Sequence, residues 1–189
     1  CFGMEKIMKF KVVADSSCDL AIDSKIKDMV TKVPLTMMLE GEEFVDDETF
    51  DQAYFLKRVA ESKECPTSAC PSPQAYMDTF EGEEECVFVV TITSRLSGSY
   101  NSACIAKEMY EEEHGTQKKI HIFDSKSASI AEARLVEKIF EIAPTSESFE
   151  EVVEAIEKYR DELGTYFVLE SLETLRKNGR LSNMKALVA

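Results

Sequence analysis

The stretch Val87-Phe88-Val89-Val90-Thr91-Ile92-Thr93-Ser94-Arg95-Leu96-Ser97-Gly98-Ser99 decides the fold class. It opens as a nearly unbroken β-branched and aromatic run without alternation, the pattern of a strand buried on both faces. It then breaks into hydroxyl side chains and one glycine. Residues 99–113 follow with Ala103, Ala106, Met109 and Tyr110 along one helical stripe, and the pattern stops at His114-Gly115. A buried strand, a short polar loop and an amphipathic helix are the building unit of an α/β protein with a parallel sheet.

The same unit recurs outward from this stretch. Strands are expected over residues 10–14, 120–123 and 166–169. A further run, 33–39, precedes the turn signal Glu40-Gly41 and then Phe44-Val45, so it reads as a hairpin or as a strand with a short edge partner. Helical patterns fill the intervals: 49–61, from Ser72-Pro73 to about 81, 129–142, and 171–178 before Gly179. Ser148-Phe149-Glu150-Glu151 fits a capping box, with a helix running to about 163. The expected class is therefore α/β, a mostly parallel sheet flanked by helices. Pro144-Thr145-Ser146-Glu147 is the best linker, which divides the chain into residues 4–143 and 148–189, the second part too small to complete a domain alone.

Composition narrows the function. With 44% hydrophobic and 31% charged residues over 189 positions, the chain has a globular balance. A net charge of −14 repels nucleic acid, and no basic patch offsets it. No apolar run is long enough to span a bilayer, and the first residues lack the apolar core of a secretory signal. Cys1 is not an ordinary initiator, so Met4 or Met8 is the expected start. The six cysteines form no C-x-x-C pair, which favours reduced thiols in a cytoplasmic protein. His114 and His121 share no ligand-like spacing, so no metal site is expected.

Chemistry gathers where the strands end. Residues 10–14 run into Asp15-Ser16-Ser17, the central strand into Thr93 to Ser99, residues 120–123 into Asp124-Ser125, and 166–169 into Glu170-Ser171. A separate loop carries Pro66-Thr67-Ser68. Parallel sheets bind ligands beyond the carboxyl ends of their strands. Helix capping explains such serines equally well at any one position, and better at Ser171. The loop from Thr93 to Ser99 also offers free N–H groups at a helix start, which suits an anion. Neither a nucleophile elbow nor a glycine-rich phosphate fingerprint is present, so catalysis by a serine is not expected.

These residues carry a family resemblance. Asp15-Ser16-Ser17-Cys18-Asp19-Leu20 resembles the opening motif of the DegV family. Thr67-Ser68-Ala69-Cys70-Pro71-Ser72-Pro73 is similar to its T-S-x-x-P-S-P loop, and Thr93 to Ala103 to its S-S-x-L-S-G-T-Y-x-S-A segment. Asp124-Ser125-Lys126 and the stretch Leu172 to Ser182 match two further motifs in the family's order. Ser127-Ala128-Ser129-Ile130-Ala131 departs from the family in having no glycine.

The resemblance implies a two-domain architecture around an apolar tunnel, with segments exchanged between domains and the second domain incomplete here. It implies a long-chain fatty acid as ligand, no cofactor, and no activity of the carrier alone. Its carboxylate would be held by Thr67 and Ser94, with the backbone at Arg95 as a further donor and Ser16, Ser97 and Ser125 nearby. A separate fatty acid kinase subunit is the implied partner, and Arg176, Lys177 and Arg180 form a basic cluster that would meet phosphate or cap a helix end. Eight methionines and eleven phenylalanines are available to line a tunnel or to fill an ordinary core. At this chain length the expectation is weak lipid retention and an exposed apolar face. Two other readings stand beside it. One is a small-molecule phosphoryl-transfer subunit related to dihydroxyacetone kinase. The other is a structural interaction module, which leaves the clustered hydroxyls unexplained.

Overall fold

The computed structural model describes residues 8–21, 23–166 and 168. Among these residues, the four strands β1 (Phe10–Asp15), β2 (Val30–Val33), β6 (Cys86–Thr91) and β7 (Lys119–Asp124) form one parallel sheet in the order β2-β1-β6-β7. Three shorter strands, β3 (Thr36–Leu39), β4 (Glu42–Val45) and β5 (Thr67–Ala69), form a separate antiparallel sheet in the order β4-β3-β5. Among the described residues, five α-helices accompany them: α1 (Gln52–Glu61), α2 (Pro73–Met77), α3 (Ser99–His114), α4 (Ile130–Ile142) and α5 (Phe149–Glu162).

The parallel sheet is covered on both faces, which is why its strands read as unbroken apolar runs. All six residues of β6 are buried. Alternate side chains go to opposite layers. Val12, Ala14, Phe88, Val90 and Phe123 meet Leu135, Val136 and Ile139 of α4 and Val152 and Ile156 of α5. Val13, Val87, Val89, Ile120 and Ile122 meet Tyr76, Phe80 and Ala103, Ala106 and Tyr110 of α3. Phe88 and Phe123 are therefore core residues; Phe88 stacks on Phe149 at 5.0 Å between ring centroids. Full burial of each such aliphatic or aromatic side chain is worth about 1.5–3 kcal/mol.

Local signals set several boundaries as expected. Ser72 accepts from the Ala75 N–H before Pro73, and Ser148 accepts from the Glu151 N–H. The Glu151 carboxylate turns to the Glu147 N–H instead of Ser148, so the box closes one residue early. α3 ends at Gly115, whose φ of +81° suits glycine.

The run 33–39 is not one strand. Val33 closes β2 in the parallel sheet, and Thr36 opens β3 in the other. Pro34 lies between them, and the Leu35 N–H leaves the ladder to donate to Ser16 Oγ at 3.0 Å. β3 and β4 form the expected hairpin, with Glu40 and Gly41 at positive φ as a two-residue turn requires. The Thr67 segment, expected as loop, is strand β5 and pairs Met38 with Thr67. Residues 49–51 do not belong to α1. The Thr49 N–H and hydroxyl both donate to Asp47, and Asp51 caps the helix through the Tyr54 N–H.

At the expected linker, Ala143–Thr145 form a short 3-10 turn. α5 folds back from it onto α4 and β7, placing Val152 and Ile156 in the same core as β1 and β6. The expected strand 166–169 falls at the limit of the described residues; Tyr166 and Val168 carry no strand assignment and are exposed. Met4, Ser171, the helix 171–178 with Gly179, and the cluster Arg176, Lys177 and Arg180 lie outside the described residues.

Candidate functional site

Parallel pairing brings the carboxyl ends of β1, β6 and β7 side by side. The hydroxyl-bearing loops that follow are bound to one another. The Thr93 N–H donates to the Ser127 carbonyl at 2.8 Å, and the Ser125 N–H to the Thr91 carbonyl at 3.2 Å. Asp15 accepts the Ile92 N–H at 2.9 Å, joining the first loop to the second. Within the second loop, Ser94 donates its hydroxyl to Asp124 Oδ2 at 2.5 Å and its N–H to Asp124 Oδ1 at 3.2 Å. Asp124 also accepts the Lys126 N–H at 3.0 Å.

The six expected site residues divide by environment. Ser94 and Arg95 are exposed on the loop before α3, and the Arg95 N–H faces Thr93 Oγ1 at 3.4 Å. Ser97 lies in the same loop with its hydroxyl 3.0 Å from that of Ser99. Ser16 is engaged across the sheet edge, receiving the Leu35 N–H. Ser125 is buried, and its hydroxyl donates to the Ser127 carbonyl at 3.0 Å. Thr67 is exposed on β5, on the same face of the small sheet as Met38. Directly after β5, Cys70 approaches the start of α3. Its Sγ lies 3.7 Å from Ser102 Oγ, and a Cβ added to Gly98 would come within 2.9 Å of it. A side chain at 98 would therefore require Cys70 to shift.

Two buried carboxyl groups stand behind this edge. Asp15 and Glu132 are both fully buried, and Ser17 bridges them at 2.5 and 2.7 Å. Burial, and then the charge of Asp15, push Glu132 well above its ordinary value near 4.5. Cys18, beside them, is pushed up to about 12 by burial and by Glu132, which makes it an inert thiol. Sequence reading missed Glu132. Its one signal is the Ser129-x-x-Glu132 spacing, and Glu132 does accept the Ser129 N–H at 3.0 Å. Ser129 holds φ +59°, a strained conformation for serine, at the point where the sequence lacks glycine.

A cavity of about 270 Å³ opens at the opposite end of the strands, lined by Glu84, Glu85, Tyr110, His114 and Lys118 among others. It holds none of the expected site residues. The described residues contain no group of three or more His, Cys, Asp or Glu able to hold a metal ion.

The family model described as "Uncharacterised protein, DegV family" matches residues 9–189. The chain belongs to the DegV family. A DegV domain-containing protein of Streptococcus pneumoniae is 42% identical over 179 residues, covering 94% of this chain and 63% of that protein. A crystal structure of a DegV family protein from Ruminococcus gnavus, refined with vaccenic acid, superposes with a TM-score of 0.88 at 43% identity, over 94% of this chain and 63% of that one. The fatty acid kinase (Fak) B3 protein of Streptococcus pneumoniae, loaded with linoleic acid, superposes with a TM-score of 0.78 at 38% identity, over 96% and 65%. The chain thus spans a little under two thirds of the length of these DegV relatives. Their parallel sheet flanked by helices is the architecture described above. No helix among the described residues is long and apolar enough to cross a membrane.

Proposed function

We propose that this DegV chain belongs to a cytoplasmic fatty-acid-binding protein that encloses an acyl chain and holds its carboxylate at the hydroxyl edge of the parallel sheet. The observation that carries the reading is the fold match, over nearly the whole chain, to DegV proteins solved with vaccenic and linoleic acid. Thr67 and Ser94 are the hydroxyl ligands, Ser94 by turning its one hydroxyl hydrogen from Asp124 to the acid. The Arg95 N–H leaves Thr93 Oγ1 to act as a third donor. An ionised carboxylate accepts several such bonds at once. Affinity comes from the chain: about fourteen buried methylenes at about 0.8 kcal/mol each give on the order of 10 kcal/mol before ordering costs. The half-buried Met38 of β3, paired directly with Thr67, supplies adaptable apolar surface beside it.

The protein presents the acid to a separate kinase subunit and has no turnover of its own. Native mass spectrometry of the purified protein, repeated after organic extraction, tests the binding. A stoichiometric fatty acid is the expected result. A protein that is empty and refuses added fatty acid overturns the reading, as does turnover of ATP with small hydroxyketones in the absence of a partner.

A further inference from the structure

The contacts of Ser17 impose a proton count. Its Oγ lies 2.5 Å from Asp15 Oδ1 and 2.7 Å from Glu132 Oε1. A serine hydroxyl has one hydrogen, and an ionised carboxylate only accepts. One hydrogen cannot satisfy two carboxylates, and both are shut away from water. A second proton is therefore needed, and the local donors decide its place. Asp15 already receives the Ser17 N–H at 3.2 Å and the Ile92 N–H at 2.9 Å, one on each oxygen. Apart from the Ser17 hydroxyl that both carboxyls share, Glu132 receives one donor, the Ser129 N–H, and its Oε2 is buried without a hydrogen-bond partner among the described residues. Asp15 is the better-supported anion.

We infer that Glu132 is a neutral carboxylic acid at neutral pH, sharing one proton with Asp15 through Ser17, and that this pair positions the loop of residues 93–99. The link to the loop is the bond from the Ile92 N–H to Asp15, two residues before Ser94. Glu132 thus acts through Asp15 and is a positioning residue. Only the loop's role as ligand site rests on the fatty-acid reading; the shared proton does not.

Among the described residues, the cations nearest the pair are engaged elsewhere. Asp15 of β1, Cys18 and Asp19 of the following loop, and Tyr76 of α2 are the titratable groups around the pair. Asp19 accepts the Ser129 hydroxyl at 2.6 Å. Lys32 of β2 donates to the Cys18 carbonyl. Arg160 of α5 is held by Asp161 and Glu157 at 2.9 and 3.1 Å. Loss of the proton would leave two buried anions across one hydroxyl.

The pH dependence has a definite sign. A buried acid whose folded value is raised adds most stability below its unfolded value near 4.5, and that stability is lost as pH rises through the folded value. The folding equilibrium constant then falls by up to about tenfold per pH unit across this window.

Infrared spectroscopy of the full chain with carboxyl-labelled glutamate is the direct test. At about pH 7 a protonated-carboxyl band should be present, shift with labelled glutamate but not labelled aspartate, and vanish in Glu132→Gln. That variant should also lose part of the fall in stability with rising pH. If it fails to fold, Asp15→Asn serves instead: with one charge removed, the Glu132 band should titrate away at lower pH. Backbone amides of residues 93–99 should exchange faster, beyond the intrinsic trend, over the pH range in which the band disappears. No such band in the wild type, a band that follows aspartate labelling, an unchanged pH slope in Glu132→Gln, or loop opening at an unrelated pH each overturns the inference.

Discussion

Ser94 gives both of its donors to one residue: its hydroxyl lies 2.5 Å and its N–H 3.2 Å from the Asp124 carboxylate. The strand-end loop after β7 therefore holds the strand-end loop after β6, and the Ser94 side chain is oriented from outside its own segment. Removing the carboxylate should loosen that loop. Asp124→Ala is expected to cost about 1.5–3 kcal/mol, the range for hydrogen bonds to a charged group. Asp124→Asn should cost less, because its amide oxygen still accepts the backbone N–H groups. Urea unfolding of the two variants checks the order.

Head-group recognition and chain burial should separate by mutation. Thr67→Val with Ser94→Ala is expected to weaken retention of a free fatty acid by about 10- to 100-fold, at about 1.4 kcal/mol per tenfold, and to leave the fold intact. The methyl ester of the same acid, which carries no anionic head, should bind the variant and the wild type alike. Equal affinity of both proteins for the free acid would reject these two hydroxyls as ligands.

α5 should behave as part of the core that contains β1 and β6. Ile156 is fully buried against that layer. Ile156→Ala is expected to destabilise by about 2–5 kcal/mol. Unfolding followed at α5 and at the parallel sheet should remain one transition. Two separate transitions would show that α5 is an independent unit.

A second pH effect arises on α5. Asp161 is held down to about 2, from an ordinary 3.8, by hydrogen bonds first from Arg160 and then from Lys126. A depressed carboxyl contributes above its unfolded value and ceases to contribute as pH falls through its folded value. Its share of stability therefore disappears between 3.8 and about 2. Asp161→Asn should flatten acid unfolding in that interval. Since the pair is exposed, added salt should shrink the difference.

Much of this was legible in the chain itself. Residues 10–14, 87–93 and 120–123 read as buried strands because both sheet faces are covered and leave no alternation. Ser72-Pro73 and His114-Gly115 read as helix limits because capping is a local interaction. The split of residues 33–39 was harder to see. Only Pro34 marks it, and the decisive bond from Leu35 goes to Ser16, far away in sequence. Strand β5 is three residues long and exists because β3 pairs with it. Nothing within Thr67-Ser68-Ala69 demands a strand.

The candidate site divides in the same way. Hydroxyls after three strands could be counted from the sequence, and so could the five motifs of the DegV family. Which hydroxyls are already committed could not. Ser125 reads like Ser94 in sequence, yet Ser125 is buried on its own loop and Ser94 is exposed on Asp124. Glu132 reads as a surface capping residue by spacing alone.

The sequence by itself determined the alternation of strand and helix, the helix limits at Pro73 and Gly115, and the placing of hydroxyls at strand ends. Periodicity and capping act within a few residues of chain, so a linear reading contains them. The tertiary structure decided which carboxyl groups share a proton, which serine is held by Asp124, and that Cys70 packs against residue 98. Those outcomes depend on burial and on contacts between residues up to more than a hundred positions apart, as between Ser17 and Glu132. Desolvation is a property of the packed molecule, and no local pattern encodes it.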